Sequence, residues 1–262
     1  MACFEMFYEQ CECFRKGSHH SNAILYNILS QKDTINNNYS VGQQNCHCKV
    51  RRSVRLKNPE KTCQGASDIL VKTISFMKNL PSFHQLPIKD QLALLQSSWA
   101  PLFILGLAQE GVNFDVTDVP ATSMLKRILL DGQIPEASEP FDRPQPTLVG
   151  VQRLKSCLNK LWSLDLSPKE YAYLKGTILF NPDVPGLRTS QFIESLQQEA
   201  QRALHEVLAP LHPEDTGRFA RILLIASTLK TITPMFITEL FFRPVIGQTD
   251  LLDLLAEMLF AR

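Results

Sequence analysis

Neither sign of charge is in excess in this sequence: 27 Lys and Arg face 26 Asp and Glu, leaving a formal net charge of +1. That balance argues against a cationic nucleic-acid coat and against a highly charged disordered chain. Glycine is scarce at 11 of 262 residues while leucine supplies 37, so the composition leans toward helices rather than a glycine-rich, β-branched sheet. Long apolar runs are missing as well. The longest, 99–108, carries Pro101 and Gly106 and falls well short of the roughly 20 residues needed to span a bilayer, so no membrane span is expected. The N-terminus, MACFEMFYEQCECFRKG, has Glu5, Glu9 and Glu12 where a secretory signal has a basic start and an unbroken apolar stretch. The expected compartment is the cytosol or the nucleus, where thiols stay reduced.

Catalytic constellations are absent too. The sequence has no GxSxG elbow, HExxH pair, phosphate-cradling GxxxxGK loop or GxGxxG turn. The histidines at 19, 20, 47, 84, 205 and 212 do not pair with a Cys or carboxylate at a recognisable spacing. An enzyme is the weakest function class, and no cofactor is expected. The seven Cys raise the question of a metal. Zinc modules mostly space ligands C-x2-4-C, so that two thiolates reach one tetrahedral ion around a turn. Here the pairs are C-x-C, Cys11/Cys13 and Cys46/Cys48, which close poorly, and ordinary reduced thiols are expected rather than a metal site.

What is present divides in composition near residue 64. Residues 1–64 hold six of the Cys but only Leu25, Leu29 and Leu56, with 9 basic against 5 acidic residues; the remainder holds 34 Leu and only Cys157. This reads as a leader over 1–60, partly disordered, followed by a helical domain over 61–262. Within the leader, QKDTINNNYSVGQQN at 31–45 is aperiodic and polar, a linker. The basic run KVRRSVRLK at 49–57 is either a solvated charged segment, a nuclear localisation patch or a weak phosphate-contacting arm.

In the domain, apolar residues recur at helical spacing through Ile69, Leu70, Ile74 and Met77, and again through Leu92, Leu95, Trp99, Phe103 and Leu107. The stretch GVNFDVTDV at 111–119 alternates and predicts a small β-hairpin. Further helices are expected at 122–130, 146–164, 167–180, 191–208, 215–242 and 250–261, with Ser167, Pro168 and Glu170 forming a sound helix start.

Three short stretches share the pattern apolar-x-x-apolar-apolar, which puts three branched side chains on one face of a two-turn helix that fits a hydrophobic groove. They are Leu25, Ile28 and Leu29 in a helix near 23–30; Leu125, Ile128 and Leu129; and Leu251, Leu254 and Leu255. A random chain this rich in Leu and Ile would show roughly two such matches, so context decides. The first copy sits in an otherwise leucine-poor leader and reads as a docking helix or as a first helix packed on the domain; the second reads as docking or core.

The string FMKNLPSFHQLPIKDQLALL at 76–95 resembles the ligand-binding-domain signature of nuclear receptors: aromatic-x-Lys, then F-x-x-L, then D-Q-x-x-L-L. The matching residues are Phe76, Lys78, Phe83, Leu86, Asp90, Gln91, Leu94 and Leu95. LFNPDVPGL at 179–187 and LFFRPVIGQTDLLDLLAEML at 240–259 extend the match, the latter resembling the end of the long penultimate helix followed by the activation helix. The resemblance spans roughly residues 60–262 and implies an all-α, three-layer antiparallel helical sandwich. The family's DNA-binding module needs zinc-ligating Cys in C-x-x-C pairs, which this leader lacks, so the chain resembles the orphan receptors without that module.

The resemblance implies a transcriptional corepressor that does not bind DNA itself. It offers LxxLL-like helices to the ligand-binding domains of other nuclear receptors, competes there with coactivators, and recruits histone deacetylase corepressor complexes. It also implies a coregulator groove of the chain's own, with Lys78 and Glu257 at its ends and Leu95, Gln96, Leu254 and Leu255 along it. Gln96 stands where many members have a basic residue and Phe76 where most have Trp, which points to an altered groove, occlusion by the chain's own last helix being one form. The alternative is a receptor domain that binds a small apolar molecule. A homodimer surface is expected on the long helix 215–242.

Overall fold

Pro59 at the first helical position, Glu60 in the first turn and Lys78 in the last give helix α1, Pro59–Lys78, the ends its dipole favours. Its buried stripe runs Cys63, Ala66, Ile69, Leu70, Thr73, Ile74 and Met77, three to four residues apart. The structure is a computed structural model that describes residues 52–119 and 145–261. All of these belong to one compact unit, Arg51–Arg262.

A short helix α2, Pro81–His84, turns the chain into α3, Ile88–Gln109. From Ser98 to Ala108 every residue of α3 is buried. By length and apolarity alone α3 could cross a bilayer, although no unbroken apolar run reaches that length; 78% of its most apolar window is covered by protein, so its surface is spent on the core. Where α1 crosses α3, Gly106 lets the backbones approach: a Cβ there would run into Cγ2 of Ile69.

The extended stretch expected at 111–119 supplies strand β2, Val116–Asp118, but its partner is not local. It pairs antiparallel with β1, Val54–Leu56, so the sheet joins distant segments and is not a hairpin. Val54 and Leu56 are buried and Arg55 between them is exposed, so a third of the basic run is an amphipathic strand rather than a wholly solvated arm. β1 also binds the chain beyond residue 144. Val54 N–H donates to the Pro146 carbonyl at 2.9 Å, Leu148 N–H to Arg52 at 2.9 Å, and Val119 N–H to Ser53 at 2.8 Å. The two chain positions that flank residues 120–144 are thereby held on either side of one strand.

Helices α4, Leu148–Ser163; α5, Pro168–Leu179; and α6, Ser190–Leu211 follow close to expectation, and α7, Arg218–Leu229, comes after them. Ser167 and Glu170 form a reciprocal capping box on α5, with Ser167 N–H donating to the Glu170 carboxylate at 2.7 Å and Glu170 N–H to the serine hydroxyl at 3.3 Å. The single long helix expected at 215–242 is not observed. After α7 the axis bends by 76° into a second stretch made of α8, Pro234–Ile237, a π-helical turn, Thr238–Phe242, and α9, Arg243–Ile246. Pro234 has no N–H to continue the ladder and holds Thr233 extended, where the threonine hydroxyl caps the new helix by accepting from Phe236 N–H at 3.3 Å. The surface expected to carry a homodimer is thus divided between two segments of different direction. The last helix, α10, Leu251–Phe260, starts on Asp250, whose carboxylate accepts from Leu252 N–H at 2.9 Å.

In the resulting antiparallel sandwich, α3, α5 and α6 form the middle layer, α1 covers one side, and α4 and α7 cover the other. The helix expected at 122–130 lies outside the described residues.

Candidate coregulator groove

The residues expected to form a coregulator groove come from three elements, α1, α3 and α10. Lys78 ends α1, Leu95 and Gln96 lie two turns beyond the start of α3, and Leu254, Leu255 and Glu257 lie on α10. α10 packs against both α1 and α3. Leu251, Leu255 and Leu259 are buried there, Leu254 and Met258 are half-buried, and Glu257 is exposed. Leu95 is buried, while Gln96 is exposed at the rim.

Lys78 does not stand free. Its ammonium donates to the Ala261 carbonyl at 2.8 Å and reaches the Met258 carbonyl at 3.5 Å. These carbonyls belong to the open end of α10, where a cation both satisfies orphan acceptors and meets the negative end of the dipole. Glu257 is next in sequence to Met258, whose carbonyl Lys78 holds, so in this arrangement the two charged residues do not bracket a separate two-turn helix. The sequence pattern marks Lys78 and the α10 leucines, Leu251 among them, but not Ala261 as the acceptor, nor Leu251 and Leu259 as the flanking anchors of the groove. The signal available was the run LLDLLAEML, whose apolar positions 251, 255 and 259 recur every four residues.

The other signature residues are fold hardware. Asp90 is fully buried and accepts from Arg188 N–H at 3.0 Å, Thr189 N–H at 2.9 Å and the Thr189 hydroxyl at 2.6 Å, tying the first turn of α3 to the chain entering α6. Burial alone would raise its carboxyl pKa, but the Thr189 hydroxyl, the two backbone N–H groups and the Arg188 charge together hold it below the usual carboxylate range. Gln91 donates to the Leu86 carbonyl at 2.8 Å, and Phe83, Leu86 and Leu94 are core. Asp90→Ala should therefore destabilise the fold by about 2–4 kcal/mol, because it strands three donors; a lowered midpoint in urea unfolding checks this.

Between α3 and the π-turn the interior is filled by rings. Phe103 packs edge-on to Phe241 and Phe242 at 5.6 and 5.2 Å between centroids, Phe114 meets Phe241 at 5.1 Å, and Trp99 meets Phe242 at 6.4 Å. Cys63 and Cys157 are buried free thiols whose pKa values burial pushes up, the opposite of what thiolate ligands need. The docking candidates Leu25, Ile28, Leu29, Leu125, Ile128 and Leu129 lie outside the described residues.

A helical sandwich with this signature at the α1–α3 junction and a short apolar final helix defines a class. Residues 49–246 match the model of the ligand-binding domain of nuclear hormone receptors, and the chain belongs to that family. As such it is a regulatory protein and not an enzyme. It is similar to nuclear receptor subfamily 0 group B member 2 of Rattus norvegicus, 51% identical over 254 residues, and of Homo sapiens, 50% identical over 260 residues; each comparison covers 96% of this chain and 97% of the relative. It is also 41% identical over 231 residues to nuclear receptor subfamily 0 group B member 1 of Sus scrofa, covering 82% of this chain and 49% of that one.

Proposed function

We propose that this chain is a transcriptional corepressor that presents helices to the coregulator grooves of other nuclear receptors and leaves its own groove closed. The observation that carries this reading is the seat of α10. On the LxxLL-like face of α10, Leu251 and Leu255 are buried against α1 and α3 with Leu254 half-buried beside them, and Lys78, the residue that would hold the C-terminal end of an incoming coactivator helix, bonds the C-terminal end of α10 instead. A chain so arranged docks by giving helices. The candidates are Leu25, Ile28 and Leu29 of the leader 1–60, and Leu125, Ile128 and Leu129, which lie in the segment whose two flanks are bonded to the chain at Arg52, Ser53 and Val54. Occupying a partner's groove excludes its coactivator, and corepressor complexes containing histone deacetylase then act from the bound domain. The protein works in the nucleus with a share in the cytoplasm, and its DNA contact is indirect.

The test is competition for the agonist-loaded ligand-binding domain of another nuclear receptor against a labelled coactivator peptide. Replacing Leu25, Ile28 and Leu29 together by Ala should raise the concentration needed for half-displacement by at least about tenfold, as expected when the buried anchors of a docked helix are removed. Equal competition by both proteins would transfer the role to Leu125, Ile128 and Leu129, and no competition by either would refute the mechanism.

A further inference from the structure

Only Gly247–Asp250 join α9 to α10. Four residues span at most about 14 Å, so the conformation of this joint fixes where α10 can lie. Gly247 turns the chain with φ +59° and ψ −119°, a conformation open to glycine and strained for residues with a Cβ. Below the joint runs an open trough of about 810 Å³ bounded by Trp99, Met235, Thr238 and Leu251, so the joint has little packed against it. What holds it is the guanidinium of Arg243. Nε and Nη2 donate to the same Glu239 carboxylate oxygen at 3.0 and 2.8 Å, while Nη1 donates to the Gly247 carbonyl at 2.6 Å and reaches the Thr249 carbonyl at 3.3 Å. One face of the fork is anchored on the π-turn and the other grips both ends of the turn that precedes α10. A planar fork with fixed donors suits this task, since the four bonds together define an orientation and not merely a charge contact.

We propose that Arg243 is the positioning residue that latches α10 into the groove between α1 and α3, so that breaking its grip opens that groove to a second LxxLL helix. The inference rests on the reading of that groove as a coregulator seat. α10 is then held at two points, Arg243 before its first turn and Lys78 at its last, and the Arg243 contact keeps the helix near its seat when the Lys78 end frays. Release of Arg243 raises the entropy of the α10 tether and lowers the effective concentration of α10 at the groove, which is the quantity an incoming helix competes against.

The experiment uses the full-length chain, a fluorescein-labelled synthetic peptide carrying a single Leu-x-x-Leu-Leu helix, and hydrogen exchange of the α10 amides. Arg243→Ala should bind the peptide at least about tenfold more tightly than wild type and exchange the α10 amides at least about tenfold faster, with α5 exchange unchanged. Glu239→Gln, which removes the carboxylate charge and leaves the carbonyl bonds, should fall between them, and it keeps the proposal testable if Arg243→Ala loses its global fold. A chain ending at Thr249 should bind the peptide whatever the latch does. If that chain binds and neither Arg243→Ala nor Glu239→Gln exceeds wild type, the latch is refuted and the groove stands. If the chain ending at Thr249 binds no peptide, the groove reading falls, and α10 exchange in the two point variants alone decides whether Arg243 holds the helix.

Discussion

Arg218→Ala should cost about 3–5 kcal/mol of folding stability, the range found when one partner of a buried ion pair is removed and the other is left in place. The carboxylate of Glu170 is fully buried and the Arg218 side chain is 8% exposed, with Nε donating to the carboxylate at 2.8 Å. Arg218 also reaches the Asp165 carbonyl at 3.3 Å, and the second Glu170 oxygen accepts from Ser167 N–H. One carboxylate therefore serves the helix start of α5 and the tie from α5 to α7. Burial alone would raise the Glu170 pKa; the Arg218 bond, the Ser167 backbone and hydroxyl, and the guanidinium charge outweigh it and hold the group below the ordinary carboxylate value. A carboxyl whose folded pKa lies below its unfolded one contributes stability above the unfolded value of about 4.3, and that contribution is lost as pH falls through the folded value. In Arg218→Ala the buried carboxyl loses its main compensation and favours the neutral form. The gap in unfolding midpoint between wild type and variant should therefore narrow on going from pH 7 to about pH 4. A gap independent of pH would refute the electrostatic account and leave only lost packing.

The capping box illustrates what could be read directly from residues: Ser167, Pro168 and Glu170 act within one helical turn, so their geometry is local. The pairing of Glu170 with Arg218 was not readable, because it joins residues 48 apart whose meeting depends on the packing of α5 against α7. The same distinction explains the sheet. The alternation of Val112, Phe114 and Val116 marked an extended segment, but its partner at Val54–Leu56 lay under a run of basic residues that hid two buried side chains. Periodicity also carried the expected helix 215–242 straight past Pro234, where a missing N–H decided otherwise. At the groove, family resemblance supplied Lys78 and Leu255, while the engagement of Lys78 with Ala261 follows from where α10 packs, a tertiary fact with no local signal.

Phe241→Ala should destabilise the fold by about 3–5 kcal/mol and convert a filled interior into one that accepts a small apolar guest. Phe241 is fully buried and touches Phe103 at 5.6 Å and Phe114 at 5.1 Å between centroids, so it links α3 to the loop ahead of β2 through the middle of the aromatic cluster. Its removal deletes the transfer energy of a ring and leaves its neighbours without partners on one side; the π-turn that carries it is itself packed between α1, α8 and α9 and can collapse only in part. A cavity lined by Phe103, Phe114 and Phe242 is dry, and benzene-sized molecules should raise the thermal midpoint of the variant in proportion to the logarithm of their concentration above Kd. Wild type should show no such rise, because the rings already occupy the volume. That contrast separates two kinds of receptor fold: one whose interior waits for a ligand to complete it, and one whose own side chains complete it and whose regulation must then act at the surface, through α10 and the helices it offers. A saturable rise in the wild-type midpoint with apolar ligands would place this chain in the first kind and restore the small-molecule alternative.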